Sequence, residues 1–238
     1  MPSLFLTAAW KKLLLANYPV EPAVLRPLVP AGTELDAWEG TTYVSLVGFQ
    51  FRDVRVRGLS IPFHRHFPEV NLRFYVRYKE EDKWKRGVVF VREIVPLHAV
   101  TFVANNLFRE RYITLPMRYH AHSSNEAGLE VSYSWKYRGR WNQLSAKAAV
   151  SARPLPEGGA EEFITEHFWG YAGQDGRSTG EYQVAHPRWD IYNVQQYAVD
   201  CDFGGLYGPV FAELRQRAPQ SVFLAEGSPV EVYSKKII

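Results

Sequence analysis

The plainest pattern in the chain is a strict alternation. Leu129, Val131, Tyr133, Trp135 and Tyr137 alternate with Glu130, Ser132, Ser134 and Lys136. Successive side chains of an extended strand point to opposite faces, so one set is buried and the other meets water. Such a strand belongs to an antiparallel sheet. Further strands are predicted over Tyr43–Phe51, Val70–Tyr78, Val88–Ile94, Leu115–His122, Gln143–Ser151 and Gln195–Asp202. Val222–Tyr233 reads as two strands broken at Gly227-Ser-Pro229, with Glu226 as a turn acid at the break. Helical spacing predicts short helices over Glu21–Val29, Ala160–Phe168 and Pro209–Gln216. Many short strands with few helices make the fold mainly β, of the α+β kind. The Pro- and Gly-rich stretch Arg153–Gly159 reads as a loop within one domain spanning 1–238.

A second alternation carries unusual chemistry. In Glu69–Val76, the apolar face is Val70, Leu72, Phe74 and Val76, and the other face is Glu69, Asn71, Arg73 and Tyr75. An ordinary wet face favours Lys, Glu, Thr and Ser. This one offers a carboxylate, an amide, a guanidinium fork and a phenol. Same-face neighbours stand roughly 6.5–7 Å apart along a strand. If the face turns inward, Arg73 holds a ligand carboxylate bidentately, Asn71 orients it, and Glu69 moves a proton. If it turns outward, the same residues form a solvated sheet face with a surface ion pair.

Composition narrows the partners. Charged residues make up 22% of the chain and the net charge is +3, with both signs interleaved. No basic block has the density of a nucleic-acid tail. Cys201 is the single cysteine, so an intrachain disulfide is impossible and a reducing, cytoplasmic setting is expected. Its neighbours Asp200 and Asp202 disfavour a thiolate nucleophile. The N-terminal apolar stretches are broken by Lys11 and Lys12 and are too short for a membrane span. No P-loop, Rossmann or Gly-x-Ser-x-Gly fingerprint occurs, so no cofactor is expected.

Two His-x-His pairs, His64/His66 and His120/His122, would each share a face if they lay on strands, and Glu69 could complete a metal site with the first. The motif lacks a metal-specific spacing code, and rim or surface histidines are the simpler reading. Arg109 and Arg111 flank Glu110, either guarding a cavity mouth or forming a solvated charge cluster. His186-Pro-Arg-Trp189 reads as a turn with an aromatic anchor.

Four stretches resemble a known family. Asn17–Asp36, Tyr43–Phe49, Glu69–Val76 and His186–Trp189 look like the YqjF-like family of uncharacterised bacterial proteins, and the resemblance covers most of the chain. That family in turn resembles the acetoacetate decarboxylase-like superfamily. The resemblance implies a closed antiparallel β-barrel or cone with a central cavity and a few peripheral helices. It also implies a Schiff-base lysine after a proline, surrounded by acids and an arginine. Here the residue after Pro116 is Met117, and no lysine occurs between Lys85 and Lys136. Methionine forms no imine, so Schiff-base chemistry is excluded at that position. By the same resemblance Glu69 corresponds to a pocket acid, and Ser45 stands where a second acid is expected.

The ligand set read from the sequence is therefore Glu69 as the catalytic acid/base, with Arg73, Asn71, Tyr75, Ser45 and Met117 around a small, anionic molecule. Three readings follow. One is an enzyme acting on a small carboxylate without a Schiff base. Another is a non-catalytic binding or sensor protein using the same cavity. The third is a metal-dependent hydrolase built on His64, His66 and Glu69. No nucleic-acid or membrane partner is expected, and a homo-oligomer is left open.

Overall fold

The computed structural model describes residues 2–124 and 128–238. The chain opens on a long strand, β1 (Leu4–Val20), followed by one turn of helix, α1 (Pro22–Leu25), and the two-residue β2 (Glu34–Leu35). Next come β3 (Thr42–Val56), β4 (Leu59–Ser60), β5 (Phe67–Glu80) and β6 (Lys83–Val95). A helix, α2 (His98–Val103), runs into a wider turn over Ala104–Phe108. Beyond it lie β7 (Tyr112–Thr114), β8 (Met117–Ser124), β9 (Gly128–Tyr137) and β10 (Arg140–Arg153). The last part holds α3 (Ala160–Thr165), β11 (Trp169–Gly173), β12 (Thr179–Ala185), β13 (Ile191–Asp200), α4 (Phe203–Tyr207), β14 (Ser221–Tyr233) and β15 (Lys236–Ile237).

The strands form one continuous hydrogen-bonded sheet that closes on itself. Its ring runs β12-β11-β6-β5-β3-β1-β14 and returns to β12 through the pairs Val184–Val232 and Ala185–Glu231. From β14 the sheet also continues outward through β13, β10 and β9 to β8. This flap folds back over the outer face of β1, β3 and β5. Val131, Tyr133 and Trp135 of the flap share one core with Leu14, Ala16, Val44, Leu46, Val70, Leu72 and Phe74. Tyr133 lies so close to β3 that a Cβ on Gly48 would sit 2.5 Å from its ring. Burying each large aliphatic or aromatic residue here is worth roughly 1.5–3 kcal/mol. The apolar faces of β1, β3 and β5 are thereby committed to the flap, which turns their other faces inward.

Three features differ from the sequence reading. First, residues 4–20 form a strand at the centre of the sheet. Its alternation is masked because Lys12 sits at φ 55, where the β1–β3 register slips between Lys11 and Leu14. The Lys12 ammonium turns to Glu226 and to the Tyr192 hydroxyl. Second, β14 runs unbroken through Gly227-Ser-Pro229 and Glu226 is a strand residue, not a turn acid. Gly227 takes φ 81 against β1, where a Cβ would meet the Trp10 carbonyl oxygen at 2.0 Å. Third, the ring is not wholly antiparallel: β6 and β11 pair in parallel through Gly87–Trp169 and Val88–Gly170.

Candidate functional site

The inward faces of the ring enclose a cavity of about 240 Å³. That is below the usual range of roughly 300–1,000 Å³ for drug-sized ligands, so it suits a small molecule. Its walls are largely aromatic: Trp10, Phe49, Phe51, Phe67, Phe90 and Trp189 all contribute. His186 stacks on Trp189 with ring centroids 4.2 Å apart and also faces the cavity. Val100, Val103, Ala104 and Phe108 line it from α2 and the following turn, and Thr165 and His167 from the end of α3.

Into this apolar space project Glu69, Asn71 and Arg73 of β5, so the face they share is the inward one of the two orientations the alternation allowed. All are buried, Arg73 at 8% exposure and the other two at 1%. Asn71 Nδ2 donates to Glu69 Oε1 at 2.9 Å, and Tyr112 donates to Glu69 Oε2 at 2.9 Å. Arg73 Nη2 donates to the Ile164 carbonyl at the last turn of α3.

Two further buried acids face the same cavity. Glu93 lies directly across from Asn71 in the β5–β6 ladder, with Tyr112 beside it on β7. Glu110 accepts a hydrogen bond from Tyr182 at 2.8 Å. Burial disfavours the charged form of all three. It pushes Glu69 up to about 7 against the opposing pull of its Asn71 and Tyr112 hydrogen bonds and of the Arg73 charge. It pushes Glu110 up to about 7 as well, opposed by the Tyr182 hydrogen bond. Glu93 rises well above the carboxylate range, through burial and then the neighbouring Glu110 and Glu69 charges. Of the three, Glu93 has its protonated form favoured by burial and by both neighbouring acids, while Glu69 and Glu110 sit near their midpoints at neutral pH.

Histidine 167 adds a base. Its Nε2 lies 3.4 Å from Asp36 Oδ2, which the Arg86 Nε also holds at 2.7 Å. Burial lowers the His167 pKa to about 4, so the imidazole is neutral. With Nε2–H directed at Asp36, Nδ1 is left as an acceptor. Five buried polar atoms of cavity-lining residues have no hydrogen-bond partner among the described residues: Trp10 Nε1, Asn71 Oδ1, Arg73 Nε, Glu93 Oε2 and His167 Nδ1. Buried polar groups are rarely left so, and a cluster of them around one cavity is what a ligand site requires.

Residues 7–229 match the profile of DUF2071, an uncharacterized conserved protein family. The chain belongs to the DUF2071 family. It is 32% identical over 161 residues to the uncharacterized protein YqjF of Bacillus subtilis (strain 168). That match takes in 67% of this chain and 62% of YqjF, so the chain spans less than two thirds of that relative's length. Among solved structures, acetoacetate decarboxylase from Legionella pneumophila aligns over 100% of this chain and 88% of its own, with TM-score 0.64 and 13% identity. The enduracididine biosynthesis enzyme MppR, solved with pyruvate, aligns over 100% and 91%, with TM-score 0.65 and 14% identity. An acetoacetate decarboxylase-like enzyme from Sphingomonas wittichii RW1 aligns over 98% and 93%, with TM-score 0.60 and 12% identity. At these identities the likeness establishes the fold, which is acetoacetate decarboxylase-like.

On this DUF2071 chain three of the residues singled out from sequence lie elsewhere than the cavity wall. Tyr75 faces inward, but its ring packs against Phe163 and His167 under α3. Ser45 bonds the Tyr75 hydroxyl and Asn17 Oδ1, each at 2.6 Å. The pair plugs the α3 end of the ring. Met117 packs outside the ring, against the core beneath the flap, where it pairs with Trp135. The segment Arg109–Thr114 supplies Glu110 and Tyr112 to the cavity instead. Arg109 and Arg111 point the other way, into a separate polar cleft with Gln174, Asp175 and Ser178. Among the described residues no lysine lines the cavity, so the lack of an imine-forming amine holds for its whole wall.

The metal reading fails on geometry. His64 and His66 lie in the turn before β5, not on a strand. His64 Nδ1 contacts the Pro62 carbonyl, and His66 Nδ1 accepts from the Asp53 amide. His120 and His122 stack on the exposed face of β8. Among the described residues no three His, Cys, Asp or Glu side chains are grouped to hold a metal ion. Nor is any helix among them long and apolar enough to cross a membrane.

Proposed function

We propose that the cavity binds a small carboxylate-bearing metabolite and acts on it by acid–base chemistry that uses no lysine imine. The observation that carries this reading is that Glu69, Asn71 and Arg73 face one cavity, with Arg73 Nε and Asn71 Oδ1 unpartnered among the described residues. Arg73 is the anion receptor. A buried guanidinium fork matches a carboxylate bidentately. Asn71 orients the ligand and Glu69 is the proton carrier, poised near 7 where both of its forms are populated. The acids of the wall do not forbid an anion. Burial and its acidic neighbours favour the protonated form of Glu93, and the other two are only partly charged at pH 7. The fold neighbour solved with pyruvate makes a small oxo acid a sensible first probe.

Calorimetry with pyruvate and acetoacetate, paired with NMR of the ligand over hours, tests this. Arg73→Ala should weaken binding by ten-fold or more, and Glu69→Gln should abolish turnover while leaving binding. Unchanged affinity in Arg73→Ala sinks the reading. A second reading, a binding protein without turnover, is favoured by the lack of a lysine on the wall. A ligand bound and recovered unaltered supports it, and turnover removes it.

A further inference from the structure

We infer that the cavity selects a hydroxylated monocarboxylate, held by its carboxylate at Arg73 and by an alcohol or phenol at the Asn71–Glu93 pair. The inference rests on the proposed function for the carboxylate end and adds what the other end recognises.

A hydroxyl needs one acceptor for its hydrogen and one donor for its oxygen. Asn71 and Glu93 are directly paired across β5 and β6, which sets their Cβ atoms about 5 Å apart. Each carries one buried atom with no partner among the described residues, Asn71 Oδ1 and Glu93 Oε2, and both side chains line the cavity. The Asn71 amide is oriented by its own hydrogen bond: Nδ2 donates to Glu69, so Oδ1 is the acceptor left over. Glu93 is buried and flanked by Glu69 and Glu110, surroundings that favour its protonated form and so suit it to be the donor. One ligand hydroxyl satisfies both atoms together.

The other acids are already supplied. Asn71 and Tyr112 donate to Glu69, and Tyr182 donates to Glu110. They do not call for a ligand cation. A second ligand carboxylate at this end would face the partly ionised Glu69 and Glu110, with no lysine or second arginine among the cavity-lining residues. In a water-poor cavity that repulsion is far stronger than in solution. Arg73 is one same-face step from Asn71, roughly 7 Å along the strand. With aromatic walls between, this spacing suits a carboxylate and a hydroxyl separated by about one ring.

The test is a matched series differing only at the far end: phenylacetate and its 4-hydroxy, 4-carboxy and 4-aminomethyl derivatives, titrated at pH 7 by calorimetry. The 4-hydroxy compound should bind about ten-fold tighter than phenylacetate, and the 4-carboxy compound at least ten-fold weaker. Glu93→Leu should erase the hydroxyl preference while phenylacetate still binds. Glu93→Gln, should the leucine variant not fold, should keep the preference and remove its loss at alkaline pH, where Glu93 ionises. Arg73→Ala should weaken every member, and failure there alone overturns the carboxylate reading. Equal binding of phenylacetate and its 4-hydroxy derivative, tighter binding of the carboxy or amino compound, or no binding by any member overturns the hydroxyl inference.

Discussion

Tyr112 donates its phenolic hydrogen to Glu69 Oε2 across 2.9 Å, tying β7 to β5 over the intervening β6. The bond favours the ionised carboxylate and opposes the effect of burial. Tyr112→Phe should therefore raise the Glu69 pKa above its present value of about 7. Infrared titration of the carboxyl band reads this directly. A Glu69 transition unmoved in the variant argues that the hydrogen bond does not form in solution. The lost bond should also cost about 1–2 kcal/mol of stability.

The buried acids predict how stability depends on pH. Glu69 rises from an ordinary 4.5 to about 7 on folding. Between those values the folded state holds more protons than the unfolded one, so stability falls as pH rises. Below about 4.5 the effect vanishes and above about 7 it is complete. Glu69→Gln should remove of the order of 3 kcal/mol from this decline. Urea unfolding at pH 4, 6 and 8 measures it, and an equally steep decline in the variant contradicts the assignment.

His167 acts in the opposite sense. Its pKa falls from 6.5 to about 4 on burial, so the unfolded state holds more protons between those values. Its contribution to stability is present above pH 6.5 and is lost as pH falls towards 4. In His167→Gln that acid-side loss should shrink by about 3 kcal/mol. Denaturation midpoints at pH 4.5 and 7 are the check.

Gly227 joins fold to site. It sits at φ 81 on β14, where a Cβ would lie 2.0 Å from the carbonyl oxygen of Trp10, a cavity-wall residue. No flexible side chain is available to yield, so the β1–β14 ladder must shift. Gly227→Ala should destabilise by about 3 kcal/mol or more and weaken ligand binding along with it. A variant with wild-type stability and affinity shows that the two strands can move apart without consequence.

With no lysine on the cavity wall, incubation with pyruvate and borohydride should leave the intact mass without a stoichiometric adduct. Mass spectrometry reads it. A single saturable adduct, mapped to one lysine, contradicts the absence of imine chemistry.

Much of this was legible from the sequence, for a definite reason. Period two alone sets Glu69, Asn71 and Arg73 on one face of β5 and Val70, Leu72 and Phe74 on the other but leaves open which face turns inward; the tertiary structure commits the apolar set to the core beneath the flap. Turning them there forces Glu69, Asn71 and Arg73 inward. Residues such as Tyr75 and Ser45 show the limit: alternation gives the face but not whether a side chain lines the cavity or fills the ring beside it.

What sequence alone could not settle was parity along irregular strands. Val88 and Phe90 face the cavity, so uninterrupted alternation would point Arg92 inward and Glu93 outward. A bulge at Val91, where Leu72 pairs with Arg92 but Arg73 pairs with Phe90, reverses this. Arg92 then leaves the ring and donates to the Leu206 carbonyl, and Glu93 enters the cavity. Glu110 and Tyr112 arrive likewise, after Arg109 takes a left-handed turn at φ 61. The sequence by itself determined which residues of β5 share a face, because a regular strand carries that grouping in its own pattern, and the packing of the flap decided that the polar face turns inward. The acids opposite that face were decided only by the tertiary structure, because a bulge or a left-handed turn is fixed by the strands it must fit against.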